Sequence, residues 1–230
     1  MHRSHRAGRV PFGPRRAAVL ALLCTASFAA HPAAAQALPA GASAEPPFVC
    51  PPPDVPPPPP RNEAEARDRA VRAAYREVFP SYVAAAGTEP AATLAVPVDG
   101  VRVARIADTW GAPRGVGRVH QGQDLFAPTG TPVRSATDGY VWRIAERVLG
   151  GLTVTVVGGG GIRYYYAHLS AYAGVREGDR VDPDTVLGYV GNTGNARTTP
   201  PHLHFGAYRG DDGDPCSWNA FDPLPLLTDR

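Results

Sequence analysis

Two histidines separated by one residue, His202 and His204 in Pro201-His202-Leu203-His204-Phe205-Gly206, are the most informative chemical feature of this chain. Alternate residues of a β-strand share a face, so this spacing aims both imidazoles at one point. Two more histidines sit in segments of related character. His120 stands four residues before Asp124, and His168 lies in Tyr164-Tyr165-Tyr166-Ala167-His168-Leu169-Ser170. The other three, His2, His5 and His31, fall within the first 35 residues, which are expected to be removed.

These residue types suit a metal-assisted hydrolysis. A structural zinc site takes four protein ligands, whereas a catalytic one takes three and leaves a position for water. His120, Asp124 and one member of the His202/His204 pair supply two nitrogens and one oxygen, and water held there ionises near a pKa of about 7. The reaction also needs a group to move a proton from water to the leaving amine. The other member of the pair and His168 are the candidates. No His-Glu-x-x-His helix occurs, so the glutamate base of that metalloprotease class is absent. Taken singly, each signal has a structural reading: a satisfied half-buried histidine for His168, turn glycines for Gly191, Gly194 and Gly206. It is their joint occurrence that points to a site.

The elements positioning these residues read as β. Strands are expected at Val101–Ile106, Pro132–Ala136, Gly139–Ile144, Leu152–Val157, Ile162–His168, Val186–Val190 and His202–Tyr208, with Gly158 to Gly161 turning a hairpin. Many short strands with scarcely a helix among them indicate a mainly β fold, an antiparallel sandwich or barrel-like sheet. Residues 61–92 form a helical spacer: Ala66, Ala70, Ala73 and Val78 recur among alternating charges up to Ala86, and Pro80 is expected to break or end the helix. That helix either packs on a neighbour through a small apolar face or stays solvated. Residues 36–60, with Pro51-Pro52-Pro53 and the run Pro56 to Pro60, read as a semi-rigid extended tether.

Residues 1–35 have the form of a secretory signal peptide: five arginines, an apolar run from Ala17 to Ala30, then Ala33-Ala34-Ala35. The run is shorter than the roughly 20 residues of a membrane span, so no stable membrane anchor is expected after cleavage. Removing five Arg and no Asp or Glu takes the formal net charge from +2 to −3. The apparent basicity therefore belongs to the leader and argues for no nucleic acid partner. An exported chain in the periplasm or cell envelope can hold a disulfide, and Cys50 and Cys216 are the pair expected to form it.

The ordered set His120-x-x-x-Asp124, His168-Leu169-Ser170, Gly188-Tyr189-Val190-Gly191-Asn192-Thr193-Gly194 and Pro201-His202-Leu203-His204-Phe205 closely resembles the lysostaphin-type (LytM-like) zinc metalloendopeptidases that cut peptidoglycan. The resemblance extends through Ala127 to Val133 and Asp138 to Val141, covers about Val96 to Leu227, and places a metallopeptidase domain at residues 93–230. It implies that His120, Asp124 and His204 bind one Zn2+. It further implies that His168 and His202 hold and polarise the attacking water, and that the partner is a peptidoglycan crosslink peptide lying in a groove over the sheet. Many members follow the histidine pair with Phe-Glu, whereas this chain has Phe205-Gly206. Arg114, Arg118 and Arg197 are candidates to meet substrate carboxylates, or else ordinary solvated loop residues. The alternative reading is a non-catalytic relative that binds wall material or activates an amidase, with an unknown regulatory partner. A third is a secreted protease acting on protein or glycyl-glycine substrates. The presence of all five functional positions favours the enzyme.

Overall fold

The computed structural model describes residues 50, 58–115, 117–211 and 214–230. The expected signal peptide and most of the proline-rich tether lie outside these residues. One helix, α1 (Glu63–Ala86), precedes twelve strands. In chain order these are β1 (Leu94–Ala95), β2 (Gln123–Phe126), β3 (Pro132–Arg134), β4 (Gly139–Arg147), β5 (Gly151–Val157) and β6 (Arg163–Leu169). They continue as β7 (Ala171–Tyr172), β8 (Arg180–Val181), β9 (Val186–Tyr189), β10 (His202–Arg209), β11 (Asn219–Phe221) and β12 (Leu227–Thr228).

The main sheet is antiparallel and runs β11-β10-β6-β5-β4-β8. The outer edge of β10 is shared: His202 to Phe205 pair with β2, and Ala207 to Arg209 pair with β11. A three-stranded antiparallel sheet, β3-β9-β7, and a short parallel pair, β1-β12, complete the mainly β architecture. Strand alternation sorts the main sheet into two faces. Leu125, Val141, Val154, Val156, Tyr164, Tyr166, Leu203 and Phe205 are buried in the principal core. Asp124, Thr155, Tyr165, His204 and Tyr208 stand on the opposite face, which therefore carries the chemistry.

Bulges interrupt the alternation at two useful places. Along β5, Leu152 and Val154 are two residues apart, but their partners on β6, Leu169 and Tyr166, are three apart. The extra residue leaves Tyr166 and Leu169 in the core while Ala167 and His168 both face the site, and His168 adopts a left-handed φ of 64° to do so. A second bulge between Val141 and Arg143 turns Trp142 and Arg143 toward α1.

The helix departs from its sequence reading. Pro80 neither ends nor breaks α1, because the aromatic face around it is buried firmly enough to carry the helix through. The Arg76 carbonyl, which Pro80 leaves without its helical N–H donor, has the Cys50 sulfur 3.2 Å away. The buried stripe is Tyr75, Phe79, Tyr82 and Val83 against Trp142, Val157 and Cys216; Ala70 and Ala73 are exposed. An Asn62 side chain accepting from the Glu65 N–H caps the start, and Gly87 with φ of 89° ends it. The expected strand Val101–Ile106 is instead a single 3-10 turn, Val103–Arg105, whose entry is held by the Asp229 carboxylate accepting from the Val103 N–H. The short strands β1, β2, β7, β8, β11 and β12 went unseen because two to four residues are too few to display a period. Cys50 and Cys216 form the expected disulfide, with Cα atoms 5.5 Å apart. Among the described residues no helix is long and apolar enough to cross a membrane.

Candidate metal centre

The pairing of β2 with β10 sets Asp124 directly opposite His204, so two of the expected residues meet by register alone. His120 enters from the loop before β2. Its Nδ1 donates to the Thr109 carbonyl at 2.8 Å, which leaves the Nε2 lone pair facing inward. Thr109 is itself fixed by Gln123, whose Oε1 accepts from the Thr109 N–H at 2.9 Å while its Nε2 donates to Asp108 and Asp222. Gln123 is fully buried. Its positioning role escaped sequence reading, since nothing in a single glutamine announces a buried network.

Around the resulting point, His120 Nε2 lies 2.8 Å from His204 Nδ1 and 3.0 Å from Asp124 Oδ1, with His204 Nδ1 3.3 Å from the same oxygen. His120, Asp124 and His204 are thus gathered as a group able to hold a metal ion. Tetrahedral ligands at about 2.0 Å from zinc sit about 3.3 Å apart, so the donor set and its spacing fit that ion. Burial would by itself raise the Asp124 carboxyl, but hydrogen bonds from His120 and His204 outweigh it and hold Asp124 well below the ordinary carboxylate range. Burial, reinforced by the charge of His120 and offset in part by Asp124, lowers His204, which keeps its imidazole neutral and available as a ligand.

His168 and His202 stand beside this cluster, with ring centroids 5.1 Å apart. His202 Nδ1 donates to the Pro200 carbonyl at 2.8 Å and His168 Nδ1 donates to the Thr193 carbonyl at 2.9 Å. In the neutral tautomer that these bonds select, each turns the Nε2 lone pair toward the site, and His202 Nε2 is 3.8 Å from Asp124 Oδ1. The glycine segment between Gly188 and Gly194 builds the Thr193 support: a Cβ at Gly191 would lie 2.5 Å from the Ser170 nitrogen. Five residues named from the sequence thus converge on one cavity of about 470 Å³, whose wall also includes Arg114, Arg118, Tyr165 and Tyr208.

The arginines divide. Arg114 pairs through Nη2 with Asp124 Oδ2 and so anchors the carboxylate while also lining the cavity. Arg118 lines the cavity and is exposed, whereas Arg197 is not part of its wall. Gly206 is explained by Tyr208, whose ring lies where a side chain would go: a Cβ there would be 2.9 Å from the ring.

A sequence profile described as Peptidase family M23 matches residues 118–217. The chain belongs to this family. Among M23 relatives, the L-Ala--D-Glu endopeptidase of Bacillus subtilis is 39% identical over 127 residues, covering 52% of this chain and 38% of that protein. The glycyl-glycine endopeptidase ALE-1 of Staphylococcus capitis is 36% identical over 118 residues, 50% of this chain and 31% of that protein. The solved catalytic domain of lysostaphin from Staphylococcus simulans is 31% identical, with a TM-score of 0.46, and is covered over 92% of its length by 54% of this chain. This chain therefore spans well under half the length of these two curated relatives.

Two predictions arise from the packing. Gly122 lies against the His204 ring, where a Cβ would come within 2.7 Å of Cε1 and 2.6 Å of the Phe205 carbonyl oxygen. Gly122→Ala is expected to displace the imidazole and weaken metal binding by roughly 10- to 100-fold in calorimetric titration; unchanged affinity would show that the ring does not depend on this contact.

The second concerns acid stability. Burial, then the neighbouring charges of His204 and His202, push His168 down from 6.5 to about 4. Between those values the unfolded chain binds a proton that the folded chain refuses, so metal-free protein is expected to lose stability as pH falls from about 6.5 to about 4, by up to about 3 kcal/mol. His168→Asn, whose side chain tolerates a left-handed backbone, should flatten that slope in urea titrations at a series of pH values. An identical slope in both proteins would assign the acid sensitivity elsewhere.

Proposed function

We propose that this protein is an exported zinc-dependent endopeptidase that hydrolyses peptide crosslinks of bacterial peptidoglycan. The observation that carries the reading is the arrangement of three inward-facing donor atoms beside two histidines whose Nδ1 atoms are held by backbone carbonyls, so that Nε2 of each faces the site. His120, Asp124 and His204 would hold the ion; Arg114 and the Thr109 carbonyl would fix the orientation of Asp124 and His120. Bound zinc supplies Lewis acidity, polarising the scissile carbonyl and making water acidic enough to attack near neutral pH.

The chain's own residues account for proton movement. His202 Nε2, steered by the Pro200 carbonyl, takes the proton released as water adds to the carbonyl carbon. His168, steered by Thr193, turns the lone pair of its neutral Nε2 toward the attacking water, accepts a hydrogen bond from it and so holds it in place. Collapse of the tetrahedral species breaks the C–N bond, and the proton passes from imidazole to the leaving amine. Tyr165 and Tyr208 form the floor along which an extended peptide would lie. Supply of such a peptide in the cell wall agrees with the secretory leader read from the sequence and with the disulfide.

The test is mass spectrometry of fragments released when zinc-loaded protein is incubated with purified crosslinked peptidoglycan. Loss of crosslinked dimers with a matching gain of monomers is the expected result, and the new termini identify the bond. No change with zinc bound and the fold intact would overturn the assignment.

A further inference from the structure

A second cavity, of about 500 Å³, continues from the first: Tyr165 and Tyr208 line both. Its far wall is α1, which lies outside the family-matched segment, and the disulfide fastens Cys50, which precedes α1, to Cys216 in this wall. A chain of aromatic rings forms the path between the two, from His204 to Tyr165 at 6.1 Å, Tyr165 to Tyr208 at 6.4 Å, Tyr208 to Trp218 at 5.1 Å and Trp218 to Trp142 at 5.7 Å.

The charge of this cavity is one-sided. Five arginines line it and no Asp or Glu does. Arg72 is paired with Asp68 and Arg76 with Asp214. Arg143, Arg147 and Arg163 have no salt bridge among the described residues. Arg163 is almost fully buried between the rings of Phe79 and Trp218, each 4.7 Å away, and its Nε has no hydrogen-bond partner. Arg143 lies over the Tyr75 ring at 4.3 Å and its buried Nε is likewise unpartnered. One oxygen of the nearby Glu177 carboxylate, Oε1, accepts from both the Tyr75 hydroxyl and the Ile144 N–H, and Glu177 makes no ion-pair contact with these arginines. Clustered, partly desolvated cations with no carboxylate in contact are costly even where Glu177, Asp68 and Asp214 act on them from a distance, and an arriving carboxylate with bidentate geometry relieves that cost.

Register gives the distance. Gly206, Tyr165, Thr155 and Arg143 form one row across β10, β6, β5 and β4. Three strand spacings are about 14 Å, and His204 lies two residues, about 7 Å, along β10 from this row, so about 16 Å separates it from Arg143, which an extended peptide crosses in about five residues. Building on the proposed peptidase function, we propose that Arg143 and Arg147 form a subsite for a free carboxylate of the substrate peptide, about five residues from the scissile bond.

The experiment measures binding, by calorimetry, of a wall-derived peptide with free carboxylates and of its carboxamide counterpart to the full chain without zinc, so that no bond is cut. Amidation is expected to weaken binding about tenfold, as expected for losing one charge-assisted contact. Arg143→Gln and Arg147→Gln should each remove most of that preference, while Arg143→Lys retains part of it. Equal binding of the two peptides, or an undiminished preference in both Gln variants, would overturn the proposal, as would acetate alone binding as tightly as the peptide. Arg147→Gln, which disturbs no stacking contact, keeps the test valid should Arg143→Gln misfold. Failure of the peptidase reading would appear separately, as absent cleavage by zinc-loaded protein that still prefers the carboxylate peptide.

Discussion

His204→Ala is expected to abolish both zinc retention and crosslink hydrolysis, lowering kcat/KM by about 10³-fold or more, which corresponds to the several kcal/mol that a Lewis acid contributes. The size follows from where the residue sits. His204 Nδ1 is within 3.3 Å of both other donor atoms, and no further Asp, Glu, His or Cys joins the group among the described residues. Truncation leaves a two-donor site, too few for a stable centre. His202→Ala makes the informative contrast. It removes a proton carrier and leaves the three donors in place, so zinc should remain, counted by metal analysis, while kcat falls by about 10²- to 10⁴-fold. Activity retained in His204→Ala would sink the metal reading; zinc lost equally from both variants would erase the distinction drawn between ligand and proton carrier.

That distinction shows what the sequence could and could not reveal. The His-x-His spacing announced a shared face, and the structure places both rings on it, because β10 is long and regular enough for strict alternation. Asp124 came with it through the β2–β10 register. His168 was legible as a candidate by residue type but not by direction: plain alternation along β6 would send it to the core with Tyr166, and only the bulge with its left-handed φ brings it to the site. Bulges leave no clear mark in a single sequence. The helix failed in a related way. Reading small alanines as its apolar face overlooked Tyr75, Phe79 and Tyr82, whose i, i+4, i+7 spacing is the stronger signal. Pro80 was allowed to dominate that spacing, although packing can offset one lost hydrogen bond. Arg114 illustrates a third limit, since its pairing with Asp124 spans a loop whose path no pattern fixes.

Removing the disulfide, by Cys50→Ala with Cys216→Ala, is expected to cost up to about 5 kcal/mol of unfolding free energy, because the bridge closes 166 residues of chain and restrains the unfolded state accordingly. The loss should be unevenly felt. Cys216 belongs to the apolar cluster that receives Tyr75, Phe79 and Tyr82, and its carbonyl accepts from Arg163 and Arg76. With the bridge gone, α1 keeps its aromatic packing and the Arg76–Asp214 pair, so it should still dock but open more often. Hydrogen exchange of the oxidised, reduced and double-Ala proteins separates these effects: protection is expected to fall in α1 before it falls in β5 and β6. Uniform loss across the sheet would instead make α1 inseparable from the core. Two free thiols in the denatured, unreduced protein would remove the bridge from the account altogether. Hydrolysis of a short peptide that reaches only the metal cavity should survive reduction, because no residue of α1 lines that cavity. Cleavage of longer, carboxylate-bearing peptides should fall, because α1 forms the wall beside Arg143 and Arg147.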